Sequence, residues 1–92
     1  VTGVQTCALP ISFKKDLKRV KKRGKNPDKL RDILDNLLAN ELLERKFKAH
    51  RLAGNMAPYW ECHIESDWLL IWEENDDTLT LIRTGTHSDL FR

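Results

Sequence analysis

The sequence predicts an α+β domain: an N-terminal antiparallel helical hairpin packed on a small antiparallel β-sheet. Three observations predict it. Apolar residues recur at helical spacing between Phe13 and Leu38, and the chain changes to strand-like alternation after Phe47. The connections on either side of that change are short, so neighbouring elements run antiparallel.

The first helix begins at Ser12, an acceptable N-cap. Phe13, Leu17 and Val20 fall at i, i+4 and i+7 and make one apolar stripe. Gly24 is placed to stop the helix from the C′ position. Asn26-Pro27-Asp28 opens a second helix, with a capping amide, a proline suited to the first turn and a carboxylate at the positive end of the dipole. Leu30, Ile33, Leu34, Leu37 and Leu38 form a wide core-facing stripe, and the helix ends between Ala39 and Glu44.

Strands follow. Phe47 to Leu52 reads as a short one containing His50, and Ala53-Gly54-Asn55 as a turn. Tyr59 to Glu65 alternates, with Trp60, Cys62 and Ile64 on one face and Tyr59, Glu61, His63 and Glu65 on the other. Ser66-Asp67 is a tight hairpin connection. Trp68 to Trp72 is a nearly continuous apolar run, as expected of a central strand covered on both faces. Glu73 to Asp77 is an acidic turn, and Thr78 to Arg83 the last strand of a three-stranded meander.

Length and charge bound the function. Ninety-two residues support one core, and the net charge is +2. The positive charge is clustered: Lys14, Lys15, Lys18, Arg19, Lys21, Lys22, Arg23 and Lys25 stand against Asp16 alone in that stretch. Such a helix suits an anionic partner, and is also what a solvated face looks like. Cys7 and Cys62 lack metal-ligand spacing and imply no disulfide framework. No run approaches membrane-spanning length, and residues 1–11 lack the shape of a secretory leader, so the expectation is a soluble cytoplasmic protein. Residues 1–11 carry no charge and resemble the translation of a synthetic sequencing adapter. They are read as non-native, with 12–92 as the domain and its native first strand missing. A genuine strand from Val1 to Leu9 is the other reading.

The chain's chemistry concentrates late. Arg83 closes the last strand, Gly85 permits a turn, and His87 follows just beyond the sheet. A permanent cation beside a group that can pass a proton suits phosphate chemistry. His50, His63 and Asp67 are the other candidates, and each also fits an ordinary role as an exposed strand histidine or a turn aspartate. Arg83 has the parity of Leu79 and Leu81, so its stem is expected to pack with them.

Gly54 to Trp72 resembles the G-x-W-x-x-x-R-x-x-H-x-x-x-D-W-x-L-x-Y stretch of YafQ-like toxins, within the RelE/ParE superfamily of bacterial type II toxin–antitoxin systems. Arg83 to Phe91 resembles that family's R-x-G-[TS]-H-[SA]-x-L-F ending. Phe13 to Lys18 resembles its F-x-K-D-x-K opening, and Lys48 to Gly54 its D-H-x-L-x-G segment. Ala49, Met56 and Trp60 depart from the pattern, standing where an acidic residue, Trp and Arg are common. The resemblance implies a RelE-like fold and an endoribonuclease that cleaves mRNA in the ribosomal A site, inhibits translation and is neutralised by a cognate antitoxin. It needs no cofactor, metal or membrane. On that basis Arg83 grips the scissile phosphate and His87 is the general acid. His50 or His63 is base or phosphate orienter. Asp67 orients an imidazole or joins the proton transfer. Phe91 holds a base, and Lys14, Lys15, Lys18 and Arg19 bind ribosomal RNA. Two alternatives remain: a ParE-like gyrase poison, and a zinc hydrolase built on His50, His63, His87 and Asp67.

Overall fold

A computed structural model describes residues 6–39, 41–56, 58–75 and 77–91. Residues 1–5, and with them most of the Val1 to Leu9 strand reading, lie outside the described residues, as does Asp76 of the acidic turn.

Helix α1 spans Ile11–Lys22. Its N-cap is Pro10, two residues before the expected Ser12. Proline has no N–H to leave unsatisfied there, and its carbonyl accepts the first helical bond from Lys14 N at 3.1 Å. Phe13 and Val20 are buried and Leu17 half-buried, as their spacing requires. Asp16 is buried on the same stripe, which the apolar pattern does not reveal. The helix ends at Gly24, whose φ is +86°. Gly24 N donates to Lys21 O at 3.0 Å and Lys25 N to Val20 O at 3.1 Å, a Schellman ending.

Helix α2 spans Pro27–Leu38, with Asn26 Oδ1 accepting from Asp28 N at 3.0 Å. Leu30, Ile33 and Leu37 are buried, and Leu34 and Leu38 pack partly against the same core.

The strands are β1 (Thr6–Ala8), β2 (His50–Arg51), β3 (Trp60–Glu65), β4 (Trp68–Glu74) and β5 (Thr78–Gly85). Their order in the sheet is β1-β5-β4-β3-β2. The expected meander is β3-β4-β5, all antiparallel. The first-strand position is occupied by Thr6–Ala8, within the segment read as non-native, and it runs parallel to Thr78, Leu79 and Thr80 of β5. Strand pairing is made by backbone groups, so a short uncharged segment can supply it with little help from its side chains. The strand expected over Phe47 to Leu52 shrinks to His50–Arg51. A 3-10 turn takes Arg45–Phe47, and Lys48 adopts a left-handed φ of 52°, which breaks an extended run.

Strand β4 is buried on both faces, with Trp68 to Trp72 all 2% exposed or less. Leu70 and Trp72 join Cys62, Ile64, Leu79, Leu81 and the helix stripes in one core. Leu69 and Ile71 are buried outside that cluster, on the face turned from the helices. The register slips in β5: Ile71 faces Arg83, while Trp72 faces Leu81. The extra residue, Ile82, is a bulge, and it reverses parity beyond that point. Arg83 therefore pairs with Ile71 and does not share the face of Leu79 and Leu81, contrary to simple alternation.

Pairing aligns two rows across the helix-free face. His50, Glu61, Ile71 and Arg83 form one; His63, Leu69 and Gly85 form the next. The hairpin turn with Asp67 and the segment after Gly85 lie at the end of the second row.

Candidate active site

The end of the chain folds as a one-turn helix, α3, over His87–Leu90. Thr86 and Asp89 form a capping box: Thr86 Oγ1 accepts from Asp89 N at 3.1 Å, and Asp89 Oδ2 accepts from Thr86 N at 3.0 Å. Gly85 has φ +154°, and a Cβ there would come within 2.8 Å of Asp89 Oδ2. The cap thus requires glycine before it. Asp89 is also tied to α1, accepting from Arg23 Nη1 at 2.7 Å and Nη2 at 3.3 Å. The Arg23 guanidinium, helped by the Thr86 backbone, holds the Asp89 carboxyl well below the usual carboxylate range.

His87 opens this helix. Its backbone N–H donates to Asp67 Oδ1 at 3.1 Å, and its Nδ1 lies 2.9 Å from the same oxygen. A carboxylate oxygen accepts, so Nδ1 carries the proton and Nε2 is left for other chemistry. The His87 hydrogen bonds lower the pKa of Asp67. The His63 ring stands 5.8 Å from the His87 ring at 58°, and the Phe91 ring 6.4 Å from it on a 43° tilt. His63, His87, Phe91 and Asp67 are therefore brought together, as the sequence reading requires of a shared site.

Arg83 lies in the neighbouring row. Its Nε donates to Asp16 Oδ2 at 2.5 Å and its Nη2 to Asp16 Oδ1 at 3.2 Å, and this carboxylate raises its pKa. It is a permanent cation with part of its surface open. Thr84, beside it, is buried: its hydroxyl donates to Leu69 O at 2.7 Å and accepts from Trp68 Nε1 at 2.9 Å. These bonds fix the end of β5 to β4.

No described contact joins His50 to His63 or His87, although the register sets it opposite Glu61, two residues from His63. It sits on the two-residue edge strand β2, three strand spacings from Arg83, about 14 Å between backbones. Its Nδ1 is 2.7 Å from Lys48 O, and its Nε2 is 3.2 Å from Glu61 Oε1. Both ring nitrogens face oxygen atoms. Among the described residues, no group of three or more His, Cys, Asp or Glu stands where it could hold a metal ion, so the tetrahedral zinc set does not assemble.

Lys14, Lys15 and Lys18 are exposed on α1. Arg19 is not a free cation: its Nη1 lies 3.7 Å from both Asp16 and Asp89. A cavity of about 550 Å³ opens beside His63, lined by Lys29, Lys46, Phe47, Lys48 and Glu65 among others. The buried Cys62 thiol is pushed up to about 12, chiefly by burial, and is no nucleophile. Sequence reasoning missed Asp16, Glu61 and Asp89. Only Asp89 left a readable signal, the T-x-x-D capping spacing.

A family model described as "Bacterial toxin of type II toxin-antitoxin system, YafQ" matches residues 6–92. The mRNA interferase toxin YafQ of Escherichia coli strain K12 is 40% identical over 80 residues, covering 86% of this chain and 87% of the relative. Among solved structures, the E. coli DinJ–YafQ complex matches with a TM-score of 0.89 at 35% identity, over 96% of this chain and 99% of that one. A copper-bound L66S mutant toxin from Helicobacter pylori matches with a TM-score of 0.92 at 35% identity, over 96% of this chain and 100% of that one. No described helix is long and apolar enough to cross a membrane.

Proposed function

The chain belongs to the YafQ family of bacterial type II toxins, and from that premise we propose that it cleaves mRNA on the ribosome by metal-independent attack of the 2′-hydroxyl. It is an endoribonuclease, and its protein partner is a cognate antitoxin, as the DinJ–YafQ complexes suggest for a relative.

The observation that carries the reading is the imidazole of His87. Its Nδ1 is committed to Asp67, which leaves Nε2 for the substrate, and its ring stands 5.8 Å from that of His63. In the proposed reaction His63 removes the 2′-OH proton, the 2′-oxygen bonds to phosphorus, and the bond to the 5′-oxygen breaks. His87, protonated on Nε2, gives its proton to that leaving oxygen. The products are a 2′,3′-cyclic phosphate and a 5′-hydroxyl end. Arg83 bears the phosphorane charge, since a guanidinium matches phosphate oxygens in pairs. Asp67 holds the His87 tautomer. Phe91, 41% exposed and next to His87, walls a splayed base.

His63 is preferred to His50 as base because it neighbours His87, while both nitrogens of His50 face other protein oxygens. The exposed Lys14, Lys15 and Lys18 supply electrostatic attraction to ribosomal RNA, while the charge of Arg19 is taken up by two ion pairs. Incubation with programmed ribosomes and end-mapping of the mRNA is the test. With the ribosomes kept in Mg²⁺, cuts bearing cyclic phosphate that persist in a zinc-selective chelator support the mechanism. Cleavage abolished by that chelator and restored by zinc contradicts it.

A further inference from the structure

Asp16 is the one carboxylate on the apolar stripe of α1, and it is 2% exposed. A carboxylate so deeply placed persists only where its oxygens are occupied. Here they are. Oδ2 accepts from Arg83 Nε and from Thr84 N at 3.2 Å, Oδ1 accepts from Arg83 Nη2, and Arg19 stands 3.7 Å away. One carboxylate thus grips both the Arg83 side chain and the backbone beside it.

We propose that Asp16 is a positioning residue for RNA cleavage: it fixes the Arg83 guanidinium so that its end-on edge meets the scissile phosphate. This rests on the reading of Arg83 as the phosphate-binding cation. A guanidinium has five N–H donors. Asp16 takes the side edge, made by Nε and Nη2. The two terminal nitrogens still present a second pair, enough for a bidentate grip on two phosphate oxygens. Without the carboxylate, Arg83 would sample several rotamers, and its charge would no longer be fixed relative to His87.

The same helix fixes His87. Arg19 links Asp16 to Asp89, and Arg23 binds Asp89, which caps the helix that carries the imidazole. The chain of alternating charge Arg83–Asp16–Arg19–Asp89–Arg23 therefore sets cation and acid from one rigid element. The sequence hides this arrangement, because Asp16 looks like a lone acid within a basic surface helix.

Two readouts on the full chain test it. In ¹⁵N-labelled wild type, the Arg83 Nε–H should exchange slowly with solvent, and inorganic phosphate should shift it. Asp16→Asn should abolish the protection and need about tenfold more phosphate for the same shift. The same variant should lower the single-turnover cleavage rate per folded molecule about 100-fold, with Asp16→Glu recovering part of it. An Asp16→Asn protein that melts lower yet cleaves at the wild-type rate per folded molecule has a merely structural Asp16, and the proposal fails. It fails equally if the wild-type Arg83 Nε–H exchanges as fast as that of exposed Arg31, a measurement that holds even if the variant does not fold. A wild-type chain that cuts no RNA sinks the ribonuclease reading instead, and the phosphate titration still decides whether Asp16 positions Arg83.

Discussion

The two ends of the helix-free sheet face are built differently. At the β5 end, Arg83 and His87 are tied to α1, to β4 and to the hairpin turn through Asp16, Asp89, Thr84 and Asp67. At the β2 end, His50 rides on a two-residue edge strand after a left-handed Lys48 and is held by one carbonyl and one carboxylate. The first is a geometry that many bonds over-determine, as a transition state demands. The second can shift with its edge strand. The difference teaches that three histidines in and beside one sheet are not three equal candidates.

The largest effect should follow from His87→Ala. Removing a general acid is expected to cost ~10²–10⁴-fold in cleavage, with antitoxin binding and melting temperature nearly unchanged. A rate within a fewfold of wild type would move the chemistry away from this end. Asp67→Asn should cost less, about tenfold, because the amide can still accept from His87 while losing the charge that favours the Nδ1–H tautomer. Equal losses from the two variants would mean that Asp67 transfers a proton itself.

Asp89→Ala separates anchoring from chemistry. It removes the Asp89 half of the α3 capping box and the Arg23 tether, so stability should fall by about 1 kcal/mol, with a moderate loss of rate. The pH dependence has a definite sign. The Asp89 carboxyl is depressed in the folded chain, chiefly by Arg23, so its contribution is full above the unfolded value near ~3.9 and fades as pH falls toward the depressed one. Acid unfolding should therefore lose part of its steepness below pH ~4 in the variant. An unchanged acid-unfolding curve would show that the ion pair contributes nothing. Smallest of all, Lys14, Lys15 and Lys18 changed together to Gln should weaken ribosome association and flatten its salt dependence, leaving the cleavage step intact.

Much of this fold was legible in the residues. The stripes of Phe13 to Val20 and Leu30 to Leu38 lie in the core, Trp68 to Trp72 is covered on both faces, and Ser66-Asp67 makes the hairpin. His87, Asp67, His63 and Phe91 lie together, whereas His50 and Arg83, expected with them, sit apart in the neighbouring row. What stayed hidden has physical causes. Alternation cannot announce a bulge, so Ile82 sent Arg83 to the other face. A hydrophobicity pattern assigns an aspartate to solvent, so buried Asp16 was invisible until its partner across 67 residues was known. The strand at Thr6–Ala8 lies within the Val1 to Leu9 reading that came second, because backbone pairing leaves too little trace in side chains to put it first. The α3 cap was readable in Thr86 and Asp89 but overshadowed by the glycine beside them.

The contrast between the two ends stands or falls on the histidines. His63→Gln and His50→Gln should be compared as single-turnover cleavage rates on the same programmed ribosomes. The account predicts a loss of ~10²-fold or more for His63→Gln and a distinctly smaller loss for His50→Gln. A greater loss at His50 than at His63 would contradict it, and would put the general base at the edge strand.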